Sequence, residues 1–256
     1  MAKRPLILVC NDDGITAPGI RNLIKVVNQL GDVVVVAPDS PQSAMGHAIT
    51  INGILRCDPI KIDDGPQKEY SCSGTPVDCV KLAVNEILER RPDLVVSGIN
   101  HGSNSSVNVL YSGTMSAAME GCLEGIPSIG FSLCDFSWQA NFEEALPFIK
   151  RICESVLEKG LSAKTVLNVN IPQFKGEAYK GIKVCRQANG NWEEEFDRRE
   201  DPRSRNYFWL TGKFVDYDKG DDTDEWALAN NYISMVPMTS DLTAHHLIGS
   251  MKNWEL

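Results

Sequence analysis

The chain has 256 residues, with 25 Lys and Arg against 34 Asp and Glu, a formal net charge of −9. With 43% hydrophobic and 23% charged residues it has ordinary globular composition, which excludes the disordered and collagen-like classes. The acidic balance excludes a general binder of nucleic-acid polymers or anionic membranes, whose affinity needs a basic surface, but not a small anionic substrate held through a metal ion.

The first 170 residues alternate strand and helix. Leu6 to Cys10 is a short continuous apolar run, the mark of a strand buried on both faces. It is too short for the hydrophobic region of a signal peptide, and no stretch reaches membrane-span length, so a cytoplasmic protein is expected. Ile20, Leu23, Ile24, Val27 and Leu30 follow helical spacing, with Pro18 suited to the first turn and Gly31 to a left-handed helix stop. Val33 to Ala37 reads as a second buried strand, completing a βαβ unit. Residues 44–72 break the rhythm: Ile49-Thr50-Ile51 and Ile60-Lys61-Ile62 predict a β-hairpin excursion. Thr75-Pro76-Val77-Asp78 then predicts a capped helix with an apolar stripe from Val80 to Leu88.

Leu94 to Val96 predicts the third strand, followed by a helix from about Thr114 to Leu123 and a strand from Ser128 to Ser132. A helix over about Asn141 to Lys159 closes at Gly160, with Pro147 either kinking it or marking its start, and Val166 to Val169 is the next strand. The fold class is therefore α/β, a Rossmann-like, doubly wound, mostly parallel sheet in three layers, over residues 1–175. Residues 176–256 carry strand candidates at Ile182 to Cys185, Tyr207 to Leu210 and Ile233 to Val236, and read as a smaller C-terminal lobe or oligomerisation arm. Glu193-Glu194-Glu195 and the charges from Asp197 to Arg205 read as a solvated face or a subunit contact. Tyr207, Phe208 and Trp209 favour core or interface packing over stacking on a nucleobase.

Ligands of open α/β sheets bind outside the carboxyl ends of the strands, and polar residues collect there. Strand one ends in Asn11-Asp12-Asp13-Gly14, where adjacent carboxylates repel unless a cation sits between them. Their hard oxygens suit a divalent ion of the Mg²⁺ or Mn²⁺ type, and Ser43 and Asn100, after the second and third strands, can each add an oxygen. Ser112-Gly113-Thr114 precedes a helix of small residues, whose N-terminal N–H groups can cradle a phosphate. No Walker A loop and no Gly-x-Gly-x-x-Gly after strand one is present, which removes ordinary P-loop and NAD readings. None of the eight Cys begins a Cys-x5-Arg phosphatase loop, and no two are spaced as in a zinc ribbon; they read as reduced, mostly apolar side chains. Asp216-x-Asp218-x-Gly220 fails as a calcium loop because Ala227 stands where the bidentate Glu belongs. His245 and His246 show no carboxylate partner and read as surface residues.

Five motifs occur in one order: Asn11-Asp12-Asp13-Gly14, Ala37-Pro38-Asp39 through Ser43 with Gly46-His47, Gly74-Thr75-Pro76-x-Asp78-Cys79-Val80, Ser97-Gly98-Ile99-Asn100-x-Gly102-x-Asn104, and Ser112-Gly113-Thr114. Over roughly residues 5–135 the chain resembles the SurE family, survival proteins that act as 5′-nucleotidases. The resemblance implies metal-dependent hydrolysis of nucleoside monophosphates and one divalent cation per subunit on Asp12, Asp13, Ser43 and Asn100. It also implies a homodimer or homotetramer with a swapped C-terminal arm; the acidic balance, in turn, leaves no nucleic-acid polymer or membrane as an expected partner. Position 101 is His where Arg or another residue is expected in many relatives.

The expected mechanism is direct attack by a metal-activated water, with Asp12 or Asp13 accepting its proton and Asn104, Ser112, Gly113 and Thr114 holding the phosphate. Asn11 and His47 stand as supporting residues behind them. A haloacid-dehalogenase-type phosphatase would space its acids as Asp-x-Asp. A phosphoacceptor signalling module, the non-enzymatic alternative with an acidic metal pocket, would place Asp where Ser97 stands. A sugar-nucleotide transferase rests on fold alone.

Overall fold

A computed structural model describes residues 3–254. A nine-stranded sheet carries the molecule, in the order β3-β4-β2-β1-β5-β6-β7-β11-β8. Its strands are β1 (Leu6–Cys10), β2 (Asp32–Pro38), β3 (Cys57–Ile60), β4 (Lys68–Cys72), β5 (Leu94–His101), β6 (Ser128–Leu133), β7 (Thr165–Ile171), β8 (Ile182–Val184) and β11 (Ile233–Thr239). The six strands from β4 to β7 in that order run parallel, and β3 and β11 are antiparallel to their neighbours β4 and β7. This is the mostly parallel α/β sheet that the alternating runs imply.

The helices α1 (Pro18–Val27), α2 (Pro76–Leu82), α3 (Gly113–Leu123) and α4 (Leu146–Lys159) flank it. Alternation along β1 explains the layers. Ile7 and Val9 join α1 and α4 in one core, while Leu6, Leu8 and Cys10 pack with Val80 of α2 in the other.

Several boundaries differ from the sequence reading. Gly31 does not stop α1 in a left-handed conformation. It is glycine because a Cβ there would lie 2.3 Å from the Pro5 carbonyl oxygen, where the chain enters the sheet. Pro147 marks the start of α4 rather than a kink, after a 3-10 turn at Glu143–Ala145. Gly160 does close α4, at φ +70°. The stripe after α2 ends in a π-helical turn, Ala83–Ile87. Ile49 to Ile51 form no strand, because the Thr50 N–H (3.0 Å) and hydroxyl (2.6 Å) donate to the Asp78 carboxylate instead of a ladder. Asp78 also completes the capping box with Thr75. The hairpin of this excursion is β3–β4 alone, on the sheet edge.

The strands after residue 176 divide between two settings. β8, β11 and the short α5 (Asp224–Ala229) extend the main sheet, whereas β9 (Gly190–Glu200) and β10 (Asn206–Asp216) pair only with each other. The Glu193 to Glu195 run lies within β9 of this ribbon, and Tyr207, Phe208 and Trp209 are exposed on β10. Asp218 meets the Arg186 guanidinium with both oxygens, at 2.5 and 2.9 Å. His245, at the start of α6 (His245–Met251), does have a carboxylate partner: its ring lies 2.7 Å from Asp241, four residues back, within reach of a loop the sequence left unassigned. No helix among the described residues is long and apolar enough to cross a membrane.

Candidate active site

β1 is the turning point of the sheet, since the chain passes from it to β2 on one side and later to β5 on the other. Such a switch point opens a crevice at the carboxyl ends of the strands. Asp12 and Asp13 follow β1, Ser43 lies beyond β2, and Asn100 falls near the end of β5. All four line one pocket of about 660 Å³, together with Asn104 and Ser112. Strand-end reasoning thus brings its candidate donors together.

Local chemistry fixes each group. Gly14, at φ +95°, turns the chain sharply after Asp13 and its carbonyl accepts the Asn11 side-chain N–H at 2.8 Å. The Asp12 carbonyl accepts the Gln42 N–H at 2.7 Å, tying the loop that carries Ser43 to the end of β1. A register shift in β5 leaves Gly98 and Ile99 out of the ladder, and pairing with β6 resumes at Asn100, opposite Ser132. The Asn100 amide donates to the Gly102 carbonyl at 2.8 Å, which leaves the side-chain oxygen for a ligand.

Asp12 is buried and accepts a short hydrogen bond from the Thr114 hydroxyl. Burial, and then the neighbouring Asp13 charge, push its carboxyl up to about 6, against the opposing pull of the Thr114 bonds. Asp13 is also raised by burial, with partial relief from the His101 backbone N–H, which donates at 3.1 Å. The pocket holds a third carboxylate, Glu225, which accepts from Ser105, and no Lys or Arg among its described lining residues. Two costly carboxylates facing neutral Ser and Asn oxygens fit a hard divalent cation better than any other ligand. No group of three His, Cys, Asp or Glu with metal-holding geometry occurs among the described residues, so such an ion would depend on the neutral oxygens too.

The expected phosphate cradle is partly reassigned. The Ser112 hydroxyl caps α3, accepting the Met115 N–H at 3.0 Å, and the residue lines the pocket. Thr114 is fully buried, and its hydroxyl holds Asp12 instead of facing the pocket. A Cβ on Gly113 would lie 2.7 Å from the Asp12 Cβ, so α3 and β1 touch there only because this residue is glycine. Gly113→Ala is accordingly expected to displace the Asp12 carboxylate and lower kcat/KM about a hundredfold, by the sensitivity of reactive geometry to ångström shifts. Steady-state phosphate release, with circular dichroism as the fold control, checks this.

His47 does not line the pocket. Its ring lies 2.8 Å from Glu120, a buried carboxylate of α3 that also accepts from Lys81 at 2.7 Å. Hydrogen bonding from His47, then from Lys81, outweighs burial and holds the Glu120 carboxyl below its usual range. Asn11 is buried, and its Oδ1 has no hydrogen-bond partner. The His101 ring donates its Nδ1–H to the Ser137 carbonyl (2.9 Å), stacks on Trp138 with centroids 5.0 Å apart, and leaves a buried Nε2 without a partner.

Sequence reasoning missed the buried polar groups that hold Asn104 from behind the pocket wall. Asn170 accepts the Asn104 N–H at 2.8 Å, Asn168 donates to the Asn104 carbonyl at 2.9 Å, and Ser132 accepts the Asn104 amide at 2.8 Å. The signal was present: an Asn-x-Asn alternation inside the otherwise apolar β7 marks buried polar groups that need partners. Phe136, Tyr111, Trp192 and Phe214 complete an aromatic rim, the last two from the base of the ribbon.

The family model described as "Survival protein SurE" matches residues 7–194. The chain belongs to the SurE family. It is 64% identical over 253 residues to "5′-nucleotidase SurE" of Flavobacterium psychrophilum, covering 99% of this chain and 98% of that one. It is likewise 64% identical over 255 residues to the protein of the same name from Christiangramia forsetii, at 99% and 98% coverage. The crystal structure of the SurE protein from Aquifex aeolicus superposes with a TM-score of 0.83 at 41% identity, covering 97% of this chain and 98% of that one.

Proposed function

We propose that this member of the SurE family is a 5′-nucleotidase, hydrolysing nucleoside 5′-monophosphates to nucleoside and phosphate. Asp12, Asp13, Ser43 and Asn100 would hold one Mg²⁺ or Mn²⁺ ion per subunit. The observation that carries this reading is an acidic pocket at the strand switch point whose described lining holds no Lys or Arg. A phosphate dianion brought against Asp12, Asp13 and Glu225 alone would be repelled. A hard divalent cation reverses that repulsion, and the relatives named 5′-nucleotidase supply the substrate class.

When bound, the ion supplies Lewis-acid polarisation of the phosphoryl group and acidification of a coordinated water. The chain's residues do the rest. Asp12 or Asp13 accepts the proton released by the attacking water. Asn104, fastened by Ser132 and Asn170, faces the phosphate with Ser112 and the first N–H groups of α3. Thr114 holds the Asp12 carboxylate in place. Tyr111, Phe136 and Trp192 offer apolar faces at the rim for the nucleobase. Phosphate release from a panel of nucleoside 5′- and 3′-monophosphates, with Mn²⁺, with Mg²⁺ and after chelation, tests the reading. Metal-dependent release from the 5′-monophosphates is expected, and none with any metal from folded protein would return the pocket to a binding role.

A homodimer or homotetramer fits the ribbon. Its two strands have only each other as partners, and Phe196, Phe208, Trp209 and Leu210 are all more than half exposed. A Phe208→Glu, Leu210→Glu double variant is expected to elute as a smaller species in size-exclusion chromatography with light scattering. An unchanged mass would show that the ribbon does not hold the assembly.

A further inference from the structure

Four of the eight cysteines, all free thiols, lie in series from the sheet edge towards the end of β1. Cys57 stands directly opposite Cys72 across the antiparallel β3–β4 pair. The Ser73 N–H donates to the Arg56 carbonyl at 2.9 Å, so a ladder bond flanks this pair instead of joining it. That is the non-hydrogen-bonded position, where Cα atoms approach to about 4.5 Å and side chains on the shared face are closest. Disulfides span Cα separations of about 4.4–6.8 Å, so this position is bridged without moving the backbone. β3 is the outermost strand and Cys57 is half-buried, whereas Cys72 packs behind it with Cys79 and Cys10.

We propose that Cys57 and Cys72 are a peroxide-responsive thiol pair that closes reversibly into a cross-strand disulfide. The electrostatics agree with the geometry. A hydrogen bond from the Cys79 thiol, aided by the Gly74 N–H and Cys57, outweighs burial and brings the Cys72 thiol down to about 7. Burial and the Cys72 charge push Cys57 up to about 12, so the pair sheds one proton readily and keeps the other. Burial first, and then the Glu225 and Asp224 charges, push Cys134 up to about 12, and burial with the Glu154 charge raises Cys153 as well, leaving those thiols inert.

The step balances. The thiolate of the pair attacks a peroxide oxygen, the O–O bond breaks, and the departing hydroxide takes a proton to become water. The resulting sulfenic acid is displaced by the neighbouring thiol: the S–S bond forms, the S–O bond breaks and a second water leaves. Two thiols lose two electrons and two protons, and the peroxide is reduced. The ring closed is the β3–β4 hairpin itself, with no effect required on the metal ligands.

The test uses the full chain, reduced, then exposed to a few equivalents of hydrogen peroxide and quenched with N-ethylmaleimide. Intact mass before alkylation should fall by about 2 Da, and peptide mapping should find Cys57 joined to Cys72. Alkylation of both should drop about tenfold or more and return with dithiothreitol, and the oxidised protein should melt about 5 °C or more higher. Cys57→Ser, a half-exposed position at which folding should survive, should abolish the mass loss and the melting shift together. Bridging of another pair, a bridge between chains, or oxidation to sulfinic acid at Cys57 or Cys72 without a bridge would overturn the proposal. So would an unmodified wild-type chain.

Discussion

Asp13→Asn is expected to lower turnover of a nucleoside 5′-monophosphate at least about a thousandfold while leaving the fold intact. The carboxylate faces the pocket beside Asp12, and its one protein hydrogen bond comes from the His101 backbone, which an amide oxygen accepts equally well. What the substitution removes is one of two anionic donors for a divalent cation. A loss of about 4 kcal/mol of transition-state stabilisation corresponds to about three factors of ten. Stability should move the other way. Removing a carboxylate that burial already disfavours should leave the metal-free variant as stable as the parent or more so. Phosphate release and thermal melting of the metal-free protein measure the two effects together. Retained activity in a well-folded Asp13→Asn protein would remove Asp13 from the metal site.

The parts of this arrangement that sequence alone made legible are local. Thr75, Pro76 and Asp78 announce a helix start because the capping box closes within four residues, and the structure contains it. Asp12, Asp13, Ser43 and Asn100 could be grouped because each follows a buried apolar run, and parallel strands deliver their carboxyl ends to one edge. Thr114 was legible as a pocket neighbour but not as the Asp12 partner, since that depends on how closely Gly113 lets α3 approach β1.

What stayed hidden is non-local. β11 joins β7 antiparallel from more than sixty residues away, a pairing with no turn between the strands to betray it. β9 is hidden because Glu193, Glu194 and Glu195 read as a solvated face or a subunit contact; their strand character comes from the register with β10. Trp192 and Phe214 reach the pocket rim because the base of that ribbon, where they pair, lies beside it. Tyr207 to Trp209, which by sequence favoured core or interface packing over stacking, sit further along the ribbon and are exposed.

Metal binding and stability should be linked through pH, with Asp12 setting the window. In the metal-free fold its carboxyl rises from an ordinary 3.8 to about 6, through burial first and the Asp13 charge second. A raised carboxyl favours the protonated fold, so this contribution is complete below pH 3.8 and is lost as the pH climbs through about 6. The change corresponds to about 3 kcal/mol, or about 6–12 °C in the melting midpoint of a chain this size. Carboxylates held low by their partners, such as Asp78 and Glu120, titrate in the opposite sense. The effect is therefore read as wild type minus Asp12→Asn, both with chelator, from pH 4 to 7.5. Mn²⁺ or Mg²⁺ must displace the Asp12 proton at the acid end but not above pH 6, so apparent affinity should weaken up to about tenfold per pH unit below that point. At a fixed metal concentration, the metal-induced rise in melting temperature should be large at pH 7.5 and small at pH 5. An equal rise at both would mean that the ion binds without Asp12, and the carboxylate would then need another reason to be buried beside Asp13.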